Sequence, residues 1–317
     1  MRQCLQRTGG HPVLRLLTLC LALIVPTCAW SAAPLGSAQN PLRVVLIPAD
    51  GGTEDGTRAD FQPVFNAITR TSGLHFTLRV GQSYNAVVEA MCNGSADVAF
   101  FGPVAYVQAR KRGCAELLAV SVENGRSTYY AGIFARTKGP VRRIADLKGR
   151  RVAFGDLNSA SSFIAQAAML LDARIDPVRD LGAVRLTGSH ASSLAALVQG
   201  QADAAALSFD SFEKAVNQGV VSPREVSVVA RSAPIPNPPL GMSTRLPPAL
   251  KTRLKRAFAT VARAPGVTPD MIRGYGGKRV DGYDTTYPER NYAAAAAMLA
   301  RVDDPLKAAI LKKAAAR

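Results

Sequence analysis

Two stretches decide how this chain folds: residues 84–99, YNAVVEAMCNGSADVA, and residues 191–205, ASSLAALVQGQADAA. Each opens with apolar residues at helical spacing, passes Asn93-Gly94 or Gln199-Gly200, and ends in Ala-Asp before small apolar residues. Apolar side chains three and four apart put one helix face against a core, and the glycine just beyond closes the helix in the left-handed conformation. The small apolar run after Ala-Asp predicts a buried strand. Gly94 and Gly200 lie 106 positions apart. The chain therefore carries one helix–strand unit twice, the mark expected of two similar α/β lobes.

The surrounding pattern agrees. Short strands are predicted at 42–47, 75–80, 96–101, 117–122, 130–135, 151–154, 183–186, 204–207 and 226–230. Helices are predicted at about 59–71, 83–93, 103–112, 160–172, 190–199 and 209–217. Strands alternating with helices predict βαβ units and parallel sheets. Pro234, Pro236, Pro238 and Pro239 exclude a central strand between them and predict a connector. The tail is helical at 247–263 and 288–315.

At 317 residues, length gives a soft prior of roughly two domains, and 48% hydrophobic with 20% charged residues excludes a mostly disordered chain. Only 6% of residues are aromatic, with one Trp, which argues against base-stacking platforms for single-stranded nucleic acid. The first 33 residues are read apart from the fold. Arg2, Arg7 and Arg15 give a positive start, 13–25 is an apolar run, and small residues follow Pro26. This is the plan of a secretory signal peptide, cut after Ser31-Ala32-Ala33 or Gly36-Ser37-Ala38. The alternatives are an uncleaved anchor and a lipoprotein cut before Cys28.

Removing residues 1–33 takes away three Arg and no acid, so the formal net charge of +16 becomes +13. The basic residues are dispersed, as in Arg110-Lys111-Arg112 and Lys148-Gly149-Arg150-Arg151. They imply solvated faces with a general attraction for anions, and no nucleic-acid site. Cys92 and Cys114 remain of five cysteines. In an oxidising compartment they form a disulfide or stay as two thiols. With three scattered His, they offer no metal set.

Residues 154–163, FGDLNSASSF, carry the most chemical information. A strand ends at Phe154, a Gly/Asp/Asn turn follows, and Ser159, Ser161 and Ser162 stand at a helix start. Helix starts have unpaired N–H groups and a positive dipole end, so they bind anions; a plain Ser cap is the other reading. His190 and Tyr84 sit at the two equivalent helix starts of the repeat, each readable as a ligand contact or as a cap residue. No nucleotide P-loop, no Gly-x-Ser-x-Gly and no paired-carboxylate or metal spacing is present, so enzyme chemistry has little support and no cofactor is implied.

Taken in order, these segments resemble a known family. Residues 144–154 (IADLKGRRVAF) look like the start of the second lobe of type II periplasmic binding proteins, and 97–106 (DVAFFGPVAY) like their first-lobe loop. Asn158 to Ser162, Thr187-Gly188-Ser189-His190 and Pro234-Ile235-Pro236-Asn237 resemble the phosphonate- and phosphite-binding proteins of ABC importers. The resemblance spans about 42–290. It implies an α/β fold of two lobes, each a mainly parallel sheet flanked by helices, with two hinge crossings. Lobe 1 would comprise 42–135 and 236–317, and lobe 2 would comprise 136–235.

The function implied is a periplasmic solute-binding component, monomeric, that hands a small phosphorus oxyanion (phosphonate, phosphite or phosphate) to an inner-membrane permease. A sensory module and a binder of another small anion are the alternatives. The resemblance assigns Ser159, Ser161, Ser162, the loop N–H groups and His190 to the oxyanion. Tyr84 and Tyr129 or Tyr130 would close the site. Asp210 matches an acid that meets a ligand amine in aminoalkylphosphonate binders, and Asn237 a second such position. Ala160 stands where Thr is usual, and Asn237 is neutral where an acid is common.

Overall fold

The computed structural model describes residues 33–48 and 54–316. The signal-peptide expectation rests on residues 1–33, nearly all of which lie outside the described residues. The elements in chain order are β1 (Leu42–Leu46), α1 (Glu54–Ser72), β2 (Phe76–Val80), α2 (Tyr84–Asn93), β3 (Val98–Phe100), α3 (Pro103–Lys111), β4 (Ala115–Val122), β5 (Thr128–Tyr129) and β6 (Ala131–Arg136). Next come β7 (Arg151–Phe154), α4 (Ala165–Asp172), β8 (Ala183–Leu186), α5 (His190–Val198), β9 (Ala204–Ser208), α6 (Phe209–Asn217) and β10 (Val226–Arg231). The chain ends with β11 (Ile235–Pro236), β12 (Pro239–Ser243), α7 (Pro248–Thr260), β13 (Gly282–Asp284), α8 (Ala293–Arg301) and α9 (Asp304–Ala315).

Two α/β sheets result. One has the order β13-β4-β12-β3-β1-β2 and the other β10-β6-β9-β7-β8. Most strands of each sheet run the same way, as expected, with antiparallel strands set among them. The strands joined by helices, β1 with β2 and β3, and β7 with β8 and β9, pair in parallel. β4 follows β3 through α3 and β10 follows β9 through α6, each running the same way as the strand it follows, while β12 and β6 lie antiparallel between these pairs and β13 lies antiparallel at the edge beside β4. The two sheets are joined by β5 and β11, which pair antiparallel through Tyr129 and Ile235. The proline-rich connector is shorter than expected. β12 starts on Pro239 and is central, which works because the first residue of a strand can do without its N–H.

The repeat has a structural cause. Ser83 and Ser189 cap α2 and α5, each accepting a backbone N–H into the first turn. Asp97 accepts the Arg43 N–H at 2.8 Å and grips its guanidinium at 2.8 and 2.7 Å. Asp203 does the same to Arg151, at 3.0, 3.2 and 2.8 Å. In return, the Asp97 and Asp203 N–H groups donate to the Arg43 and Arg151 carbonyls. Each Ala-Asp thus pins the start of the neighbouring parallel strand.

The core fills the space between sheets and helices. Phe61, Phe65 and Phe258 pack on the first sheet, while Phe134, Leu194, Leu197 and Leu207 form a second cluster under α5 and α6. Cys92 and Cys114 are bonded to each other, closing a 22-residue separation. The tail expected as one helix breaks at Val302, because Asp303 caps a new helix by accepting the Leu306 N–H. No helix among the described residues is long and apolar enough to cross a membrane.

Candidate functional site

The segment after β7 folds into the turn that its sequence suggested. Asp156 accepts the Asn158 N–H at 2.7 Å, and Ser159 Oγ accepts the Ser162 N–H at 3.1 Å. Ala160–Ile164 then forms one turn of π-helix ahead of α4. In this wider turn the Ile164 N–H reaches back to the Ser159 carbonyl. The N–H groups of Ala160 and Ser161 open the turn, where no carbonyl of the helix can reach them, and both residues are buried. Gly155 is required by close approach: a Cβ there would lie 2.2 Å from Ser162 Oγ. That buried hydroxyl has no hydrogen-bond partner among the described residues. Gln166, fully buried, fixes the turn by donating to the carbonyls of Ser161 at 2.6 Å and Gly132 at 3.0 Å.

His190 begins α5 and is fully buried. Its Nδ1 accepts the Ser208 N–H at 3.0 Å, so a neutral imidazole carries its proton on Nε2. Nε2 lies 2.7 Å from the hydroxyl of Tyr275. Tyr275 also packs against Tyr129, ring centroids 5.6 Å apart, and the Tyr129 phenol stands beside the Ser161 hydroxyl. Burial, with the Asp210 charge adding to it, pushes the Tyr129 phenol well above its ordinary pKa. One chain of contacts therefore runs from Ser161 through Tyr129 and Tyr275 to His190.

The other expected residues fall in three ways. Tyr84 is buried at the start of α2, and its N–H donates to Asp156 Oδ2 at 3.2 Å, tying α2 to the serine turn. Burial raises the Asp156 carboxyl above the usual range against these two N–H bonds. Asp210, in the first turn of α6, faces Lys278, whose Nζ lies 3.1 Å from Oδ1. Tyr130 stands apart: successive side chains alternate in an extended strand, and its ring is covered by the Arg231 guanidinium at 3.7 Å. Asn237 is also outside the chain of contacts. Its amide donates to the Ser121 carbonyl at 2.9 Å, and its own carbonyl accepts from Tyr292.

Sequence reasoning missed Tyr275, Lys278 and Gln166. Tyr275 and Lys278 come from 274–278, GYGGK, which has no periodicity to follow, though a Tyr and Lys set among glycines was a usable sign. Gln166 looks like any helical glutamine. The arrangement presents N–H groups and hydroxyls, the donors that suit a small multiply charged oxyanion, while both ring nitrogens of His190 are engaged by Ser208 and Tyr275. Among the described residues no group of three or more His, Cys, Asp or Glu could hold a metal ion.

Comparison with known proteins points the same way. Residues 52–283 match the family model described as ABC transporter, phosphonate, periplasmic substrate-binding protein. The phosphate-import protein PhnD of Mycolicibacterium smegmatis is 26% identical over 266 residues, 79% of this chain and 82% of that protein. The binding protein component of a Pseudomonas aeruginosa ABC phosphonate transporter superposes with a TM-score of 0.72 at 19% identity, over 86% of this chain and 93% of that one. PhnD1 of Prochlorococcus marinus, solved with methylphosphonate, gives 0.71 at 16% identity, over 82% of this chain and 97% of that one.

Proposed function

This chain belongs to the periplasmic substrate-binding proteins of phosphonate ABC transporters, and we propose that it captures a small phosphorus oxyanion between two lobes and presents it to an inner-membrane permease. The lobes are built on the two sheets and close about the β5–β11 ribbon. The serine turn, Tyr129 and His190 hold the oxyanion, and the protein works as a monomer in the periplasm.

One observation carries the ligand assignment: the buried N–H groups of Ala160 and Ser161 open a helical turn beside His190 and the serine hydroxyls. Because Ala160 contributes its backbone N–H, the absence of a threonine hydroxyl there leaves the central donors in place. Neutral dipoles can hold an oxyanion without a buried counter-ion. Each lost hydrogen bond to a charged ligand weakens binding by about 1.5–3 kcal/mol, roughly 10- to 150-fold.

The test is calorimetry on mature protein stripped of ligand by unfolding and refolding, in phosphate-free buffer. The panel is phosphite, methylphosphonate, phosphate and sulfate. Tight binding of a phosphorus oxyanion over sulfate, lost in Ser159→Ala and His190→Ala while both stay folded, is the expected result. Silence across the panel, or wild-type affinity in both variants, overturns the reading.

A further inference from the structure

Residues 273–279 form a loop that reaches the site from between α7 and β13. It is tightly built. The Gly274 N–H donates to the Lys278 carbonyl at 2.7 Å, the Arg273 guanidinium donates to the Gly277 carbonyl at 3.1 Å, and Arg273 and Arg279 pair as an antiparallel bridge. Gly277 is needed here, with φ of 72° and a Cβ position 2.4 Å from Asp60 Oδ1. The loop delivers two groups to the site at once: Tyr275 to His190, and Lys278 to Asp210.

Resting on the function proposed above, we propose that Lys278 is a built-in counter-cation for Asp210 and selects phosphorus oxyanions that carry no amine. Asp210 stands beside the anion turn: it follows Ser208, whose N–H meets His190, and Leu207, whose carbonyl shares the Gln166 amide with that of Ser161. A carboxylate there repels a bound oxyanion unless a cation meets it. Either the ligand brings that cation or the protein does. Here the protein does, with Nζ 3.1 Å from Asp210 Oδ1.

Two more acids hold Lys278 in position, Glu123 at 2.8 Å and Glu213 at 3.9 Å. Glu213 is 60% exposed and Glu123 31%, against 18% for Asp210, so Asp210 is the partner on the buried side. Burial works to lower the ammonium's pKa, but the Glu123 bond and the Asp210 charge outweigh it and carry it to about 12. Lys278 is therefore charged throughout the range in which the protein works. A ligand ammonium brought to Asp210 meets this fixed cation and has to displace it.

The test uses a matched pair, ethylphosphonate and 2-aminoethylphosphonate, titrated into wild type, Lys278→Met and Lys278→Arg. Wild type is expected to favour ethylphosphonate at least tenfold. Lys278→Met should move that ratio at least tenfold toward the amine, and Lys278→Arg should keep the wild-type preference. Equal or tighter binding of the amine by wild type overturns the inference, as does an unmoved ratio in a Lys278→Met that melts as a folded protein. Should Lys278→Met not fold, the wild-type pair and Lys278→Arg still decide. Failure of methylphosphonate, phosphite and phosphate to bind wild type instead overturns the function itself, a result distinct from phosphonate binding without discrimination of the amine.

Discussion

Replacing Asp97 by Ala tests the repeated clamp directly. The side chain is 6% exposed and accepts three hydrogen bonds, one from the Arg43 backbone and two from its guanidinium. Bonds to a charged acceptor contribute about 1.5–3 kcal/mol each when buried, and an orphaned buried N–H costs about 1–3 kcal/mol. The guanidinium is 44% exposed, so water recovers most of its share. The N–H bond then dominates, and the loss comes to about 3 kcal/mol. Asp203, at 13% exposure with Arg151 at 48%, should cost less, about 2 kcal/mol. Urea unfolding of both alanine variants measures this. Asp97→Asn should fall between, because its amide oxygen can still accept the N–H while its NH2 faces the guanidinium. Losses below about 1 kcal/mol at both sites, or an Asn variant as stable as wild type, would refute the reasoning that the clamps rather than the helices pin these strands.

Three further outcomes follow from other features. Reducing the Cys92–Cys114 bond, or replacing both residues with Ser, opens a loop of 22-residue separation and should cost about 3 kcal/mol in chain entropy, read by urea unfolding with and without reductant. The Asp203 carboxyl is held below its usual range by its Arg151 bonds, so its contribution is present above the unfolded-state value of about 4 and is lost as pH falls through the depressed one. Thermal midpoints from pH 6 to pH 2 should therefore fall less steeply in Asp203→Asn than in wild type. Gly277→Ala forces a left-handed alanine against Asp60, which also binds Lys214 at 2.8 Å; a stability loss of about 1–2 kcal/mol or more is expected, with weakened oxyanion binding by calorimetry.

Local pattern carried most of the fold into the sequence. Strands 151–154 and 183–186 are found where alternation and turn residues put them, because a short apolar run between breakers has few other uses. β12 was hidden by its prolines: the rule against proline in a central strand concerns a missing N–H, and it does not apply to the strand's first residue. The site divides in the same manner. The serine turn and His190 announce themselves as polar residues at helix starts. Tyr129 could not be separated from Tyr130 until strand pairing fixed which of them turned toward Ser161. Tyr275 and Lys278 lie more than 60 positions from the groups they meet, and no short-range pattern encodes such a meeting.

The placement of these groups explains why the clamp variants should lose stability and keep affinity. In the second sheet β8, β7 and β9 are parallel neighbours, with β7 between the other two. The serine turn follows the carboxyl end of β7, His190 that of β8, and Ser208 with Asp210 that of β9. This is the end of a parallel sheet where helix starts converge and ligands bind. Arg151 and Asp203 sit at the opposite, amino ends of β7 and β9, and Arg43 and Asp97 at those of β1 and β3. Pinning and binding thus occupy opposite ends of the same strands, about four residues apart. An Asp203→Ala protein that remains folded should bind its oxyanion within about twofold of wild type, since no site group touches the clamp and distant sites add independently. A tenfold loss in a variant that is fully folded at the assay temperature would mean that strand register, and not only the loops, sets the geometry of the site.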